Sequence, residues 1–388
     1  MDEIKIGLFG VGKRGLGWLR LLEKTSGYRV TAIGDIFTGL HDRAVAELKD
    51  PKDVAVYAHY EDMLADQNVD AIALTVRCKE QGAMAAQGLE AGKHVNAEVP
   101  AAHTIEDCWK IVLAAEKSGK VYQLADQARY AGYFQAWRDM VQRGDLGQIV
   151  YCEGEYIGYP GISGYYQDWD TGEMVHPKDL GNHPNAKPTW THMMDPIHYL
   201  PHELSPVLMV LNDRVTRVTA MSTRKTSYSH PEIRRADMQL ALMKTEKDAI
   251  LRMACGYTQP LPPLRDHHHY QILGTGGSVE TGRTSRDKPK MWLANSQMHD
   301  MAEVDWRHQQ ADASPEALES GHRGTDYYVH EAFREAVLGN RPLEFDLYKA
   351  IDTAAPAILA VESIDRGSEP LDVPDFRPGE SRTKGQMP

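Results

Sequence analysis

Three glycines in the pattern Gly10-x-Gly12-x-x-Gly15 lie between a short apolar run (Ile4, Ile6, Leu8, Phe9) and leucines at helical spacing (Leu16, Leu19, Leu22). Glycines so placed suit a strand-turn-helix that cradles a pyrophosphate. Gly10 permits the tight turn, Gly12 lets the phosphates approach the backbone, and Gly15 lets the helix pack on the strand. The free N–H groups and the positive end of that helix face the anion, and Lys13 and Arg14 can steady it. A second apolar run, Tyr28 to Ile33, ends in Gly34-Asp35, twenty residues beyond Gly15. A carboxylate there accepts from a ribose 2′-hydroxyl and repels a 2′-phosphate, which favours NAD over NADP. The alternative is a glycine-rich turn without a ligand, and the strand before and the helix after weigh against it.

Other residues have the chemistry of proton transfer. Tyr199 and His202, three apart, can put a phenol and an imidazole on one side of a pocket. Asp126 and Gln127 follow a short apolar strand and can orient a cofactor or substrate hydroxyls. Asp195 and His198 can form a charge-assisted pair, and His322, before a helix start, can reach a substrate. A zinc site is the competing reading of His267-His268-His269, or of His198 with His202, but no acidic third ligand stands at the expected spacing, and no metal is expected.

Composition narrows the function classes. The 388 residues suit two domains with real cores. A net charge of −12 argues against nucleic acid and anionic membrane surfaces as partners. No apolar run approaches the ~20 residues that span a bilayer. The first strand begins within three residues of Met1, which leaves no room for a signal peptide. Cys78, Cys108, Cys152 and Cys255 are scattered without a C-x-x-C pair, so reduced thiols and a cytoplasmic location are expected.

The elements that must position these residues divide in two. Up to residue 124, strands and helices alternate in the doubly wound manner: strands at 28–33, 54–57, 70–75, 93–96 and 121–124, a helix at 40–49, and another after Pro100 with Thr104 as N-cap. Thr75 closes one of these strands. Beyond it, runs at 149–159, 215–223, 236–243, 249–255 and 271–273 read as an antiparallel sheet, followed by helices at 326–338 and 348–364. The stretch Ser163 to Thr191, rich in Gly, Pro, Asp and aromatics, reads as a site wall or lid. The Pro/Gly-rich tail after Pro370 reads as extended surface chain.

Asn96-Ala97-Glu98-Val99-Pro100 resembles the E-K-P motif of the Gfo/Idh/MocA oxidoreductases, with Val99 in place of the lysine that handles the hydroxyl proton in the sugar dehydrogenases. A closer resemblance is to the NAD-dependent glycoside hydrolases of family 109 and their relatives, among them NAD-dependent sulfoquinovosidases. It rests on Glu98 to Ala102 with Glu106 to Trp109, on Tyr122 to Tyr130 (where that family has an acidic residue followed by Asn), on Trp190 to His202 ending Tyr199-Leu200-Pro201-His202 (similar to Y-P-T-H), and on Gly321 to Asp326 leading to Pro374-Asp375-Phe376. These stretches span nearly the whole chain. The resemblance implies an α/β fold: an N-terminal Rossmann domain (1–124) and a C-terminal α/β domain (125–388) whose large open, mainly antiparallel sheet makes a homo-oligomer contact.

It also implies a redox-neutral hydrolysis. Sugar C3 is oxidised by NAD, the C2 proton becomes acidic, the C1 aglycone is eliminated, water adds and C3 is reduced again. No oxocarbenium-stabilising carboxylate pair is needed. The resemblance assigns Tyr199 and His202 to proton transfer at the sugar and adds Tyr156, Asp126 and His322 as catalytic candidates. Glu98, Thr75 and Gln127 join Gly10, Gly12, Lys13, Arg14, Gly15 and Asp35 on the cofactor side. The bland reading of Tyr156 is an aromatic packed on a sheet face. The substrate is a small glycoside, either anionic (a sulfoquinovoside) or an N-acetylgalactosaminide. Arg77, Arg234, Arg235, Arg265 and His267 to His269 are candidates for a cationic corner. An ordinary NAD-dependent sugar or polyol dehydrogenase is the alternative.

Overall fold

The computed structural model describes residues 3–158, 166–189, 192, 194–229, 231, 233–257, 261–379 and 382. Apolar runs without alternation form six strands buried on both faces: β1 (Ile4–Phe9), β2 (Tyr28–Gly34), β3 (Ala55–Tyr57), β4 (Ala71–Leu74), β5 (His94–Ala97) and β6 (Tyr122–Leu124). They are parallel, in the order β3-β2-β1-β4-β5-β6. The order reverses between β1 and β4, and in such sheets ligands bind beyond the carboxyl ends of the strands at that point. Gly10, Thr75, Glu98 and Asp126 all stand just past a strand end, on β1, β4, β5 and β6 in turn.

Five helices complete the doubly wound unit: α1 (Lys13–Lys24), α2 (His41–Val45), α3 (Tyr60–Ala65), α4 (Cys78–Glu90) and α5 (Ile105–Ser118). α1 buries Leu16, Trp18, Leu19 and Leu22 along one stripe. Thr104 caps α5 as expected, its side chain accepting from Asp107 N–H at 3.1 Å. The helix expected over 40–49 is shorter: a 3₁₀ turn at Thr38–Leu40 leads into α2, which stops at Val45.

The second half opens with α6 (Gly132–Arg143) and β7 (Ile149–Ile157). The described part of the expected loop is not structureless, for β8 (Tyr166–Asp168), β9 (Met174–Val175) and β10 (Ala186–Pro188) form a small sheet. Residues 159, 163–165 and 190–191 of the expected strand and loop lie outside the described residues. Then come α7 (Pro201–Leu211), β11 (Val215–Ser222), β12 (Gln239–Thr245), β13 (Ile250–Gly256), β14 (His268–Gly274), β15 (Gly277–Glu280), β16 (Lys290–Leu293), β17 (Ala302–Glu303), α8 (Pro315–Glu319), α9 (Thr325–Leu338), α10 (Leu347–Asp365) and β18 (Leu371–Asp372). Nine strands form one sheet, β17-β16-β15-β14-β7-β13-β12-β11-β18. All neighbours are antiparallel except β7 and β13.

One face of this sheet is covered by α7 and α10, over buried Ala241, Met243, Leu251 and Met253. On the other face Met221, Leu242 and Ile250 are exposed. The two halves are not independent. α9 returns to the first sheet, where Val329 and Phe333 join Ile4, Ile6, Leu8 and Trp18 in one core. A division at residue 124 therefore leaves out a helix that the first sheet needs on one face. All four cysteines are buried and free. No helix among the described residues is long and apolar enough to cross a membrane.

Candidate active site

The turn after β1 is set by its glycines. Gly10 has φ +98°, and a Cβ there would lie 2.5 Å from Thr75 O. A Cβ on Gly15 would lie 1.9 Å from Gly10 O, so only glycine allows α1 to start this close to β1. At Gly12 an added Cβ would meet no atom within 4 Å. Gly12 is the N-cap of α1 and offers no side-chain cap, so the first N–H groups of the helix open into that space. This cradle fits the pyrophosphate of NAD, which Gly10, Gly12, Lys13 and Gly15 would hold. Thr75 supports the turn by donating its hydroxyl to Gly10 O. Asp35 is buried, and its two oxygens accept from Val11 N–H (2.8 Å) and Phe37 N–H (2.9 Å). It braces the cradle, and a ribose hydroxyl would share a carboxylate already hydrogen-bonded. Burial, the largest influence, raises its pKa despite these bonds.

Arg14 is committed differently from the sequence expectation. Its guanidinium is bidentate to Asp326 (2.8 and 3.1 Å) and also pairs with Glu98, so it ties α1 to α9 and to the end of β5. The reason is distance in the chain: Asp326 lies 312 residues away and only folding brings it here. Lys13 is exposed beside it. Burial works against the charged form of Asp326, but hydrogen bonds from His322 and Arg14 hold its carboxyl below the usual range. This pair then stabilises the fold above the ordinary Asp pKa near ~4 and ceases to do so as pH falls through the lowered value. Asp326→Asn is expected to cost about 2 kcal/mol at pH 7 and less at pH 3, read by thermal denaturation at both pH values.

Beyond the cradle, α7 carries the proton-transfer candidates. Pro201 at its first position sets the start of the helix, and His202 and Glu203 follow in the first turn. His202 Nδ1 lies 3.7 Å from Asp126 Oδ1, whose carboxylate is fully buried and also accepts from Ala128 N–H. Burial pulls the His202 pKa down, but the Asp126 carboxylate and the charges of Glu203 and Glu98 outweigh it, and the net shift is upward. Asp126 Oδ2 and Gln127 Oε1 are buried without a hydrogen-bond partner among the described residues. Two such acceptors beside the strand ends are what a hydroxyl-rich ligand would satisfy.

Tyr199 and Tyr156 sit together behind His202, with ring centroids 6.1 and 5.8 Å from it and 6.3 Å from each other. Tyr257 completes the aromatic cluster at 5.0 Å from Tyr156 and 5.4 Å from Tyr199. Burial raises the phenol pKa of both Tyr156 and Tyr199, so they are hydrogen-bond donors at neutral pH. A cavity of about 380 Å³ opens in front, lined by Gln127, His202, His268, Tyr270, His322 and Arg323 among others. The structure thus brings Gln127, His202 and His322 to one cavity, with Asp126 buried against His202 and Tyr156 and Tyr199 packed behind. His322 has φ +52° and gives its Nδ1 to Asp326 at 3.0 Å.

Two further expectations are corrected. His198 does not pair with the Asp195 carboxylate. Its Nδ1 lies 3.3 Å from Asp195 backbone O, its ring stacks on His103 at 4.0 Å, and burial lowers its pKa to about 3. Asp195 instead accepts from Gln239 at 2.6 Å. The proposed cationic corner does not assemble. Arg265 lies 3.5 Å from Glu155, on the uncovered face of the sheet that His269 also occupies. Strand alternation sends His268 to the opposite face, Arg77 lies over Phe37, and Arg234 and His267 are exposed. Arg235 alone reaches the aromatic cluster, 4.7 Å over Tyr257. Val99, in the slot of the family lysine, is buried and cannot move a proton. Sequence reading missed Glu203 and Tyr270, and weighed His268 only as a zinc ligand or as part of a cationic corner. Their signal, alternation along β14 and the start of α7, is faint without the sheet pairing.

Comparison with known proteins bears on this arrangement. Residues 4–125 match a family model described as an oxidoreductase family with an NAD-binding Rossmann fold. Residues 130–383, well over half of the chain, match the C-terminal domain of glycosyl hydrolase 109. A glycosyl hydrolase family 109 protein of Saccharopolyspora erythraea is 25% identical over 98% of this chain and 85% of its own. Among solved structures, an oxidoreductase of Agrobacterium radiobacter in complex with NAD⁺, L-tartaric acid and magnesium superposes with a TM-score of 0.70 at 17% identity, covering 95% of this chain and 98% of its own. A scyllo-inositol dehydrogenase of Lactobacillus casei with bound NAD(H) and scyllo-inositol superposes at 0.69 and 16% identity, covering 95% and 99%. At those identities the likeness is one of fold.

Proposed function

The chain belongs to the glycosyl hydrolase 109 family, on a Gfo/Idh/MocA scaffold, and is an NAD-dependent glycosidase; we propose that it hydrolyses small glycosides by oxidation at C3, elimination of the aglycone, hydration and re-reduction. The observation that carries this reading is the fully buried Asp126 paired with His202, together with a buried valine, Val99, where a dehydrogenase of this scaffold has its lysine. Bound NAD supplies a hydride acceptor and, at the end of the cycle, the donor of the same hydride. The chain's own residues then have three tasks. His202, with Asp126 behind it, takes the O3 proton as C3 becomes a ketone and returns it when the ketone is reduced. Tyr199 and Tyr156, packed behind His202, hold its ring in place for that transfer. Gln127 and His322 orient sugar hydroxyls at the rim.

For the sugar, an anionic glycoside such as a sulfoquinovoside and an N-acetylgalactosaminide are the two candidates: Arg286, Lys288 and Arg323 on the cavity wall are balanced by Asp266, Asp287 and Asp305, with Arg323 paired to Asp266 (3.4 Å) and Lys288 to Asp305 (3.9 Å). The exposed Met221, Leu242 and Ile250 on the open sheet support a second copy of the chain as the cover of that face.

Aglycone release from 4-nitrophenyl sulfoquinovoside and 4-nitrophenyl N-acetylgalactosaminide of both anomers, followed at 405 nm with absorbance at 340 nm in the same cuvette, tests the function. Many turnovers on catalytic NAD without accumulating NADH are expected on one of them. Stoichiometric NADH from free sugars, without nitrophenol release, would instead make the protein a dehydrogenase.

A further inference from the structure

The cavity holds a second histidine–carboxylate pair. Glu203, next in sequence to His202, is fully buried, and its Oε1 lies 2.7 Å from His268 Nδ1. Two features place it there. Gly154 on β7 has no side chain: a Cβ would lie 2.9 Å from Glu203 Cβ, so the glycine lets α7 settle onto the sheet. Tyr270, two residues along β14 from His268 and so on the same face, directs its hydroxyl to His202 O (3.2 Å) and to Glu203 Oε1 (3.4 Å). Tyr156 covers the outer side of His268, with ring centroids 4.3 Å apart. A buried carboxylate on Nδ1 holds the imidazole in the tautomer with the proton on Nδ1, leaving the Nε2 lone pair for other work. His268 and His202 line the same cavity from β14 and α7.

The reaction proposed above needs two proton-handling groups: one at O3 and one at C2. We propose that His268 is the base that removes the C2 proton and that Glu203 is the positioning residue that orients it; this rests on the redox-neutral glycosidase reading. In the step, Nε2 takes the proton from C2 of the 3-keto sugar. The C2–H electron pair forms the C1–C2 double bond, and the C1–O pair leaves with the aglycone oxygen. On the return, water adds its oxygen to C1, the proton that the water gives up passes to the released aglycone oxygen, and C2 recovers a proton from the same imidazolium. Charge and protons balance over the cycle. A polar site buried with its partner unsatisfied on Oε2 has a use here, because that second oxygen can take up charge when the imidazole is protonated.

The test uses the NAD-loaded full chain in D₂O with the 4-nitrophenyl glycoside from the panel above. Deuterium at C2 of the released sugar is read by NMR, and the fast 340 nm transient reports oxidation at C3. For His268→Gln we expect turnover and C2 exchange to fall by about 100-fold or more, and for Glu203→Gln by about 10-fold or more, with the transient kept in both and KM changed less than about threefold. The preserved transient also shows that each variant is folded. Exchange within threefold of wild type in His268→Gln would overturn the assignment. Loss of the transient together with exchange would also overturn it, because the pair would then act at O3 or only in folding. A wild-type enzyme that releases nitrophenol without C2 exchange would remove the glycosidase route itself, and the assignment with it.

Discussion

His202→Gln is expected to lower kcat on the aryl glycoside by about 10²- to 10⁴-fold, the range associated with loss of a positioned acid/base group. The KM should change little, because glutamine keeps a polar group at the rim of the cavity that His202 lines. Its partner supplies the sharper measurement. In the folded protein, burial lowers the His202 pKa and the Asp126 carboxylate more than reverses this. A base that must be neutral to accept the O3 proton therefore becomes active on the alkaline side of its ordinary value near ~6.5. Asp126→Asn removes the largest raising influence and leaves burial opposed only by Glu203 and Glu98, so the acid limb of kcat/KM moves to lower pH while the plateau falls. The amide oxygen still accepts from Ala128 N–H, which is 3.0 Å from Asp126 Oδ1, so the strand end should keep its shape. A profile of kcat/KM between pH 5 and 9 decides the matter, and an acid limb that stays in place would remove His202 from the role.

The second large effect separates binding from folding within one motif. Gly12 has φ −66° and ψ −169°, which any residue adopts, and an added Cβ there meets no atom within 4 Å. Gly12→Val should therefore leave the thermal midpoint within about 2 °C of wild type, while its branched side chain fills the space that the first amides of α1 face. NAD affinity, measured by calorimetry, is expected to fall by about 100-fold or more, which corresponds to roughly 2.7 kcal/mol. Gly15→Val should do the opposite in order of cause. Its Cβ would overlap Gly10 O at 1.9 Å and approach Thr75 Oγ1 at 2.9 Å. Stability is expected to drop by about 3 kcal/mol or more, with weaker NAD binding as a consequence. Equal effects of the two substitutions on NAD affinity at unchanged stability would contradict this division of labour.

The two halves of the molecule differ in how far they are legible from residues alone, and for a physical reason. The doubly wound half is a local code: apolar runs, glycines at a turn and a threonine cap are read within a few residues of where they act, as at Gly10 to Gly15 and at Thr104. The open sheet is partly legible through alternation, but its ends are not. The strand expected at 271–273 begins at His268, because pairing with β7 extends it past the apolar residues.

What only the tertiary structure decided is which polar groups meet. Arg14 reads as a phosphate ligand by its place after Gly12, yet Asp326 and Glu98 claim it from α9 and from the end of β5. His198 and His202 look equivalent at four residues apart. One stacks on His103 and is kept neutral by burial, and the other meets a buried carboxylate from a different strand. His267, His268 and His269 are one run in the sequence, but the pleat turns His268 toward Glu203 and sends His269 to the other face. Propensity and spacing act over a few residues and determine the elements. Charge pairing and desolvation act through space, and so the assignment of partners belonged to the packing of α7, β14 and α9 around the strand ends.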